Sequence, residues 1–395
     1  MDGTMAAYGE AAKALWPLES GMIFLNHGSY GATPHAVLAE QRRFRDRLEA
    51  QPCRFINHEA PGEIRAAAGE LAAFLGARGE DVVFVENTTQ GINAILRSLR
   101  FAPGDEVLVT DHVYNAVRNT LRFVLEPAGA TLRVAPVGLQ VTATGAALAE
   151  RIMAEASDAT RLVLVDHVAS VSGVVFPVAE IAGIARARGI PVLVDGAHAP
   201  GMLDLDVPAT GADFYVGNCH KWLCAPKGSA FLWAAPGRQE GLHPTVISHD
   251  LGKGFTSEFD KVGTRDASAW LSVPAALRFH EAMGGPALRR RNHALVVEAA
   301  RAIADVWGTV TGAPDDMFGA MATVRLPAGL PADRATADAL KARAWASHRA
   351  EVHVMPFAGA LWSRLSVQAY NTRQECLALG AILSEARDAL LADAR

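Results

Sequence analysis

Across residues 81–233, short unbroken apolar runs take turns with stretches of helical period. Asp81–Glu86 (DVVFVE), Glu106–Thr110 (EVLVT), Thr131–Pro136, Arg161–Asp166 (RLVLVD), Ile190–Asp195 (IPVLVD), Phe214–Gly217 and Ser229–Trp233 read as strands. Thr88–Leu99, Tyr114–Leu125, Gly145–Ala156 and Val178–Arg188 read as helices, the last with Pro177 at its start. Strands apolar on both faces and separated by helices predict an α/β large domain with a mostly parallel central sheet flanked by helices. Beyond about residue 275 the pattern changes. Ala275–Val306, Ala332–Ala344 and Arg373–Ala392 read as helices, and Ala320–Leu326, Val352–Met355 and Leu365–Ala369 as strands, which predicts a smaller C-terminal α+β domain. The expected organisation is an N-terminal segment (1–30) packing with the small domain, a large domain (31–275) and the small domain (276–395). Segment 236–270 is rich in Gly, His, Thr and Ser, and a long irregular stretch in a compact protein is usually functional or at an interface.

Composition removes several functional classes. The chain has 395 residues, half of them hydrophobic, so each domain can bury a core of its own. A net charge of −5 leaves no basic footprint for nucleic acid. No run of 18 apolar residues predicts a membrane span. Residues 1–18 carry acids and lack a basic region followed by an apolar run, so no signal peptide is expected. Cys53, Cys219, Cys224 and Cys376 fit neither a zinc spacing nor a disulfide scaffold, and a cytoplasmic setting is the expectation.

In open parallel sheets ligands bind beyond the carboxyl ends of the strands. Five strand ends carry polar groups: Asn87-Thr88-Thr89-Gln90-Gly91, Asp111-His112-Val113-Tyr114, Asp166-His167 with Ser170 beyond, Asp195-Gly196-Ala197-His198, and Asn218 with His220 and Lys221. Neither G-x-G-x-x-G opening a helix nor G-x-x-x-x-G-K-[ST] occurs, which weakens a nucleotide-binding reading. Thr88-Thr89 at a helix start suits a phosphate, although Thr88 read alone is an ordinary helix cap. Asp195 closes a buried strand, where a carboxylate needs a partner such as a protonated ring nitrogen. Only six of the 37 basic residues are lysines: Lys13, Lys221, Lys227, Lys253, Lys261 and Lys341. Of these, Lys221 has apolar and aromatic neighbours that would lower its pKa, as a Schiff-base former requires. A phosphate cup, an acid for a pyridinium, a ring-stacking residue and an amine for an aldehyde together describe a site for pyridoxal 5'-phosphate (PLP).

The sequence also resembles the class V aminotransferase family of fold-type I PLP enzymes. The strings that carry the likeness are FLNHGSYG (24–31), VENTTQGIN (85–93), DHVYNAV (111–117), HVASVSG (167–173), VDGAHAPG (194–201), GNCHKW (217–222), VGTRD (262–266) and RLSVQAYN (364–371). They span roughly residues 20–375, and FLNHGSYG and DHVYNAV look most like the isopenicillin N epimerase branch.

The resemblance implies roles. Lys221 would bond the cofactor and move the proton at Cα, and Asp195 would pair with the pyridinium nitrogen. His198 would lie near the phenolic oxygen. His112 would stack on the ring, with Tyr114 as its rival. Thr88, Thr89 and His220 would bind the phosphate, and Ser170 stands where the family has an asparagine near the ring. Thr264 would reach the phosphate of a partner subunit, which implies a homodimer with shared active sites. Arg364 would grip the α-carboxylate of a small-molecule amino-acid substrate. Asn26 and His27 would line the substrate entrance.

Epimerisation at Cα is the first expectation, with Lys221 as one base and His27, His112 or Tyr114 as the other. C–S lysis and transamination are the alternatives within the family. Persulfide-forming desulfuration is disfavoured, because 345–363 holds no cysteine ahead of Arg364. A non-catalytic PLP-fold binding protein is the alternative outside enzymology, and the joint presence of Lys221, Asp195 and Arg364 argues against it.

Overall fold

The computed structural model describes residues 7–393; residues 1–6, the start of the expected N-terminal segment, and 394–395, the end of the expected small domain, lie outside the described residues. Twelve strands are assigned among the described residues: β1 (Ile23–Phe24), β2 (Val82–Val85), β3 (Glu106–Thr110), β4 (Thr131–Ala135), β5 (Thr160–Asp166), β6 (Val192–Asp195), β7 (Phe214–Asn218), β8 (Ala230–Ala234), β9 (Met321–Arg325), β10 (Ala350–Glu351), β11 (His353–Phe357) and β12 (Ala360–Ser366). Seven of them form the central sheet in the order β2-β8-β7-β6-β5-β3-β4. Only β8 runs against the others, pairing antiparallel with both β2 and β7.

Successive strand residues feed opposite sides of this sheet, because side chains alternate with period two. Val163, Val165 and Val194 join the core on one side, and Leu162, Leu164 and Leu193 the core on the other. Each such side chain, buried to a few per cent exposure or less, contributes about 1.5–3 kcal/mol. Helices Thr88–Ser98, Asn115–Ala128, Gly145–Met153 and Val178–Ala187 make the crossovers, within a few residues of the expected bounds. The parallel α/β expectation therefore holds.

The C-terminal part carries a three-stranded antiparallel sheet, β11-β12-β9, with helices Pro286–Trp307, Arg334–His348 and Arg373–Asp393. Two expectations need correction here. The single long helix over 275–306 is two, Val273–Ala282 and Pro286–Trp307, because Gly284 and Gly285 take φ of +92° and +46° ahead of Pro286. The strand expected at Leu365–Ala369 lies earlier, at Ala360–Ser366. Its register is set by a two-residue hairpin loop, Ala358–Gly359, with φ of +48° and +76°. The stretch 236–270 is largely irregular, with short helical turns at Pro236–Arg238 and Phe255–Asp260 and a further one beginning at Ser268. No helix among the described residues is long and apolar enough to cross a membrane.

The N-terminal segment closes the structure. β1 pairs in parallel with β10, and Asn26 bridges to Ser366 at the end of β12. The chain then turns at Gly31 (φ +71°) across the lysine turn. A Cβ on Gly31 would stand 2.1 Å from the His220 carbonyl oxygen and 2.9 Å from the Lys221 Cα, so only glycine lets the two backbones meet.

Candidate active site

The carboxyl ends of β2, β5, β6 and β7 open on a cavity of about 350 Å³. Of the residues singled out in the sequence, Thr88, Thr89, Tyr114, Ser170, Asp195, His198, His220 and Lys221 line it. They are far apart in the chain and meet because a parallel sheet puts every strand's carboxyl end on one edge.

One side of the cavity is built for an anion. Asn87 precedes the helix Thr88–Ser98 and its Oδ1 accepts from the Gln90 N–H at 2.9 Å. Asn218 Oδ1, from the end of β7, accepts from the Thr88 N–H at 3.0 Å. The Thr88 hydroxyl is buried without a hydrogen-bond partner. His220 Nδ1–H donates to the Ser229 carbonyl at 3.0 Å, which leaves its Nε2 without a proton while the ring is neutral, so the phosphate contact expected of His220 requires the protonated ring. Burial pushes the His220 imidazole down to about 4. The helix terminus itself adds a partial positive charge.

Two carboxylates stand at the opposite side. Asp166 and Asp195 end neighbouring parallel strands and are partners in register. The Asp195 Oδ1 accepts from the Ala197 N–H at 3.0 Å, whereas Asp166 Oδ2 is buried without a partner. Burial raises the pKa of both, and the Asp195 charge raises Asp166 further. Burial and the neighbouring Asp195 charge thus favour the neutral form of Asp166.

Lys221 lies between these sides. Its Nζ is 3.1 Å from His198 Nε2. Burial, reinforced by the Arg364 charge, brings the amine down from the ordinary lysine range to about 7, against the pull of Asp195. The group is therefore largely unprotonated just above neutrality.

Arg364 sits on β12, 2% exposed, and borders the cavity through its partners. It donates to the Ser170 carbonyl, to Ser170 Oγ at 3.4 Å, to Asn26 Oδ1 at 3.1 Å and to Ser29 Oγ at 3.3 Å. Its Nε has no partner, and among the described residues no carboxylate pairs with it. A buried cation without a counter-ion is costly, and a bound carboxylate would relieve that cost.

Three sequence candidates lie elsewhere. His112 does not line the cavity. Its ring is fully buried, with Nδ1 2.8 Å from Ser172 Oγ and Nε2 2.7 Å from the Gly138 carbonyl, edge-on to Phe176 and Phe357. Tyr114, two residues on, is half-exposed and faces the cavity instead. His27 lies behind the lysine turn, with Nδ1 2.7 Å from Tyr370 Oη and Nε2 3.0 Å from the Lys221 carbonyl. Both nitrogens are thus engaged, so it is an anchor and not a free base. Thr264 is exposed beside a different concavity, with Arg65, Asp260 and Arg265. Conversely, Asp166 and Ser29 line the cavity and were given no role by sequence reasoning. The repeat of RLVLVD in IPVLVD was the available sign that Asp166 matches Asp195.

Comparison with known proteins gives the lineage. Residues 23–379 match the model of the family described as Aminotransferase class-V. The chain belongs to the class V aminotransferase family. Within it, the chain is 33% identical over 384 residues to isopenicillin N epimerase of Streptomyces clavuligerus, covering 93% of this chain and 95% of that one. It is 30% identical over 356 residues to L-cysteine desulfhydrase of Arabidopsis thaliana, covering 86% and 78%. The fold matches that of a C-DES mutant with glycine covalently linked to its PLP cofactor, with a TM-score of 0.80, 21% identity and coverage of 94% and 98%.

Proposed function

We propose that this chain is a PLP-dependent enzyme that moves a proton at the Cα of an α-amino acid or an amino-acid-containing small molecule, and that its reaction is epimerisation. The observation that carries the reading is the single cavity holding the near-neutral Lys221 amine, the Asp166/Asp195 pair and a helix terminus, bordered by an arginine without a counter-ion. The unpaired atoms fit the cofactor's two ends: the Thr88 hydroxyl and the Thr89 side of the helix terminus suit a phosphate, and the carboxyls suit a pyridinium. His198 offers a hydrogen bond beside the amine. When bound, PLP supplies an electron sink for charge developing at Cα.

The remaining work belongs to the chain's own side chains. Arg364 binds and orients the substrate carboxylate. Lys221 takes or returns the Cα proton from its side. Of the three second-base candidates read from the sequence, Tyr114 alone lines the cavity, and His27 and His112 have both nitrogens bonded. Tyr114 is therefore the proposed second proton carrier. Among the described residues no cysteine lines the cavity, and burial pushes the Cys224 and Cys376 thiols up to about 12, which speaks against persulfide chemistry.

The homodimer is part of this proposal. Val246, Ile247 and Leu251 are exposed and flank Ser248–Asp250, which line the same concavity as Thr264, an arrangement suited to contact with a second copy. In that arrangement Thr264 would serve the partner's phosphate.

The test is direct. Purified protein reconstituted with PLP should show a visible absorbance band that borohydride bleaches, and Lys221→Ala should lack it. With single amino-acid enantiomers in deuterated water, an epimerase takes up deuterium at Cα and loses optical purity without forming keto acid. Pyruvate and sulfide from cysteine would replace this reading with C–S lysis, and keto acid with transamination.

A further inference from the structure

His198 can bond Lys221 as a donor or as an acceptor, and the choice decides whether the amine is a base or an ammonium. The structure settles it through a residue that does not touch the cavity. Trp222 is 2% exposed, and its indole Nε1 lies 3.2 Å from His198 Nδ1. An indole N–H can only donate, so Nδ1 must be the acceptor and carries no proton. Burial keeps the imidazole neutral. A neutral ring without a proton on Nδ1 bears it on Nε2, the atom 3.1 Å from Lys221 Nζ. That N–H needs a lone pair to point at, and an ammonium has none.

Trp222 is held on its other side. The His27 ring packs against it, 4.9 Å between centroids, and His27 in turn donates from Nε2 to the Lys221 carbonyl while accepting from the Tyr370 hydroxyl. The titratable and charged groups facing the Lys221–His198 pair are Asp195 from β6, Arg364 from β12, His220 from the same turn and His27 from the N-terminal segment. None of them bonds either nitrogen of His198.

We infer that Trp222 is a positioning residue: its indole N–H locks His198 in the Nε2–H tautomer, so that His198 donates to the Lys221 amine and holds it in the base form. This rests on the reading of Lys221 as the cofactor-binding base, and the same N–H is then available to the cofactor's oxygen. Without the indole the ring could carry its proton on Nδ1 and accept from an ammonium.

Two measurements test this. In apoprotein labelled with ¹⁵N-histidine, with His198→Gln to assign the resonance, His198 should show a protonated Nε2 and a bare Nδ1 at neutral pH; the opposite tautomer overturns the inference whatever the variants do. Separately, the rate of PLP capture by apoprotein is followed against pH for wild type, Trp222→Phe, His198→Gln and the double variant. Exchanging a donor for an acceptor is worth about one hydrogen bond, so Trp222→Phe should move the midpoint up by about one pH unit and slow capture at neutral pH about fivefold. With His198→Gln in place, the amide carries an N–H regardless, and the tryptophan change should move the midpoint little. Equal shifts in both backgrounds, or no shift in either, would overturn the inference. Failure of the wild-type protein to capture PLP at all would instead sink the proposed function.

Discussion

At the scale of single residues, the lysine carries the sharpest expectation. A lysine amine near 7 reaches its reactive form about three pH units earlier than an ordinary one. PLP capture by the apoprotein should therefore rise through about pH 7 and level off above it. A rate still climbing far into the alkaline range would show an unperturbed lysine. Arg364 is testable through KM. Replacing it by Gln removes charge-assisted hydrogen bonds worth roughly 1.5–3 kcal/mol, so KM for an amino-acid substrate should rise about 10- to 150-fold, while the absorbance of the bound cofactor stays in place. Asp195, His198 and Lys221 were legible because they follow strand ends, where the topology dictates a common edge. The choice between His112 and Tyr114 was not legible. They lie two residues apart in one loop, and their directions depend on Phe357, Phe176 and the Gly138 carbonyl, which no local pattern announces.

At the scale of elements, register and crossings decide. The apolar runs gave the central strands nearly to the residue, since a buried parallel strand leaves a continuous signal. β12 was misplaced because its register comes from the Ala358–Gly359 loop, and an alanine at φ +48° is not a usual turn signature. The crossing of the N-terminal segment over the lysine turn was equally invisible, being a contact between backbones remote in sequence. It predicts that Gly31→Ala, which forces a Cβ to 2.1 Å from the His220 carbonyl at a positive φ, destabilises the fold by about 1–3 kcal/mol or more. Thermal melting should show the loss, and the Lys221–cofactor absorbance should change with it. The exposed Arg43, whose contacts are to Glu40 and Phe44 of its own helix, serves as the control, and Arg43→Ala should leave both nearly unaltered.

For the whole molecule, buried histidines govern the response to acid. His27, His112, His167, His198, His220, His280 and His353 all have lowered pKa values, chiefly through burial. Between the unfolded histidine value of about 6.5 and these lowered values, the unfolded chain binds more protons than the native one, so stability falls as pH falls. Asp166, Asp195 and Asp260 have raised values and act in the opposite sense. Seven groups against three leave a net loss, and the melting temperature of the apoprotein should drop steadily from pH 6.5 toward pH 4. A flat profile over that window would contradict the neutral, buried state of the histidines.

The N-terminal segment has a temporal meaning as well. Asn26 meets Arg364 across 338 positions of chain, and His27 meets the Lys221 carbonyl across 194. On the ribosome the seven-stranded sheet can be complete well before β12 emerges. A nascent chain would thus carry its lysine and strand-end acids while still lacking the arginine for a substrate carboxylate. The groups suited to the cofactor are therefore synthesised before the one suited to the substrate carboxylate, and the core that buries one side of the sheet is complete only when Leu365 and Leu383 have followed.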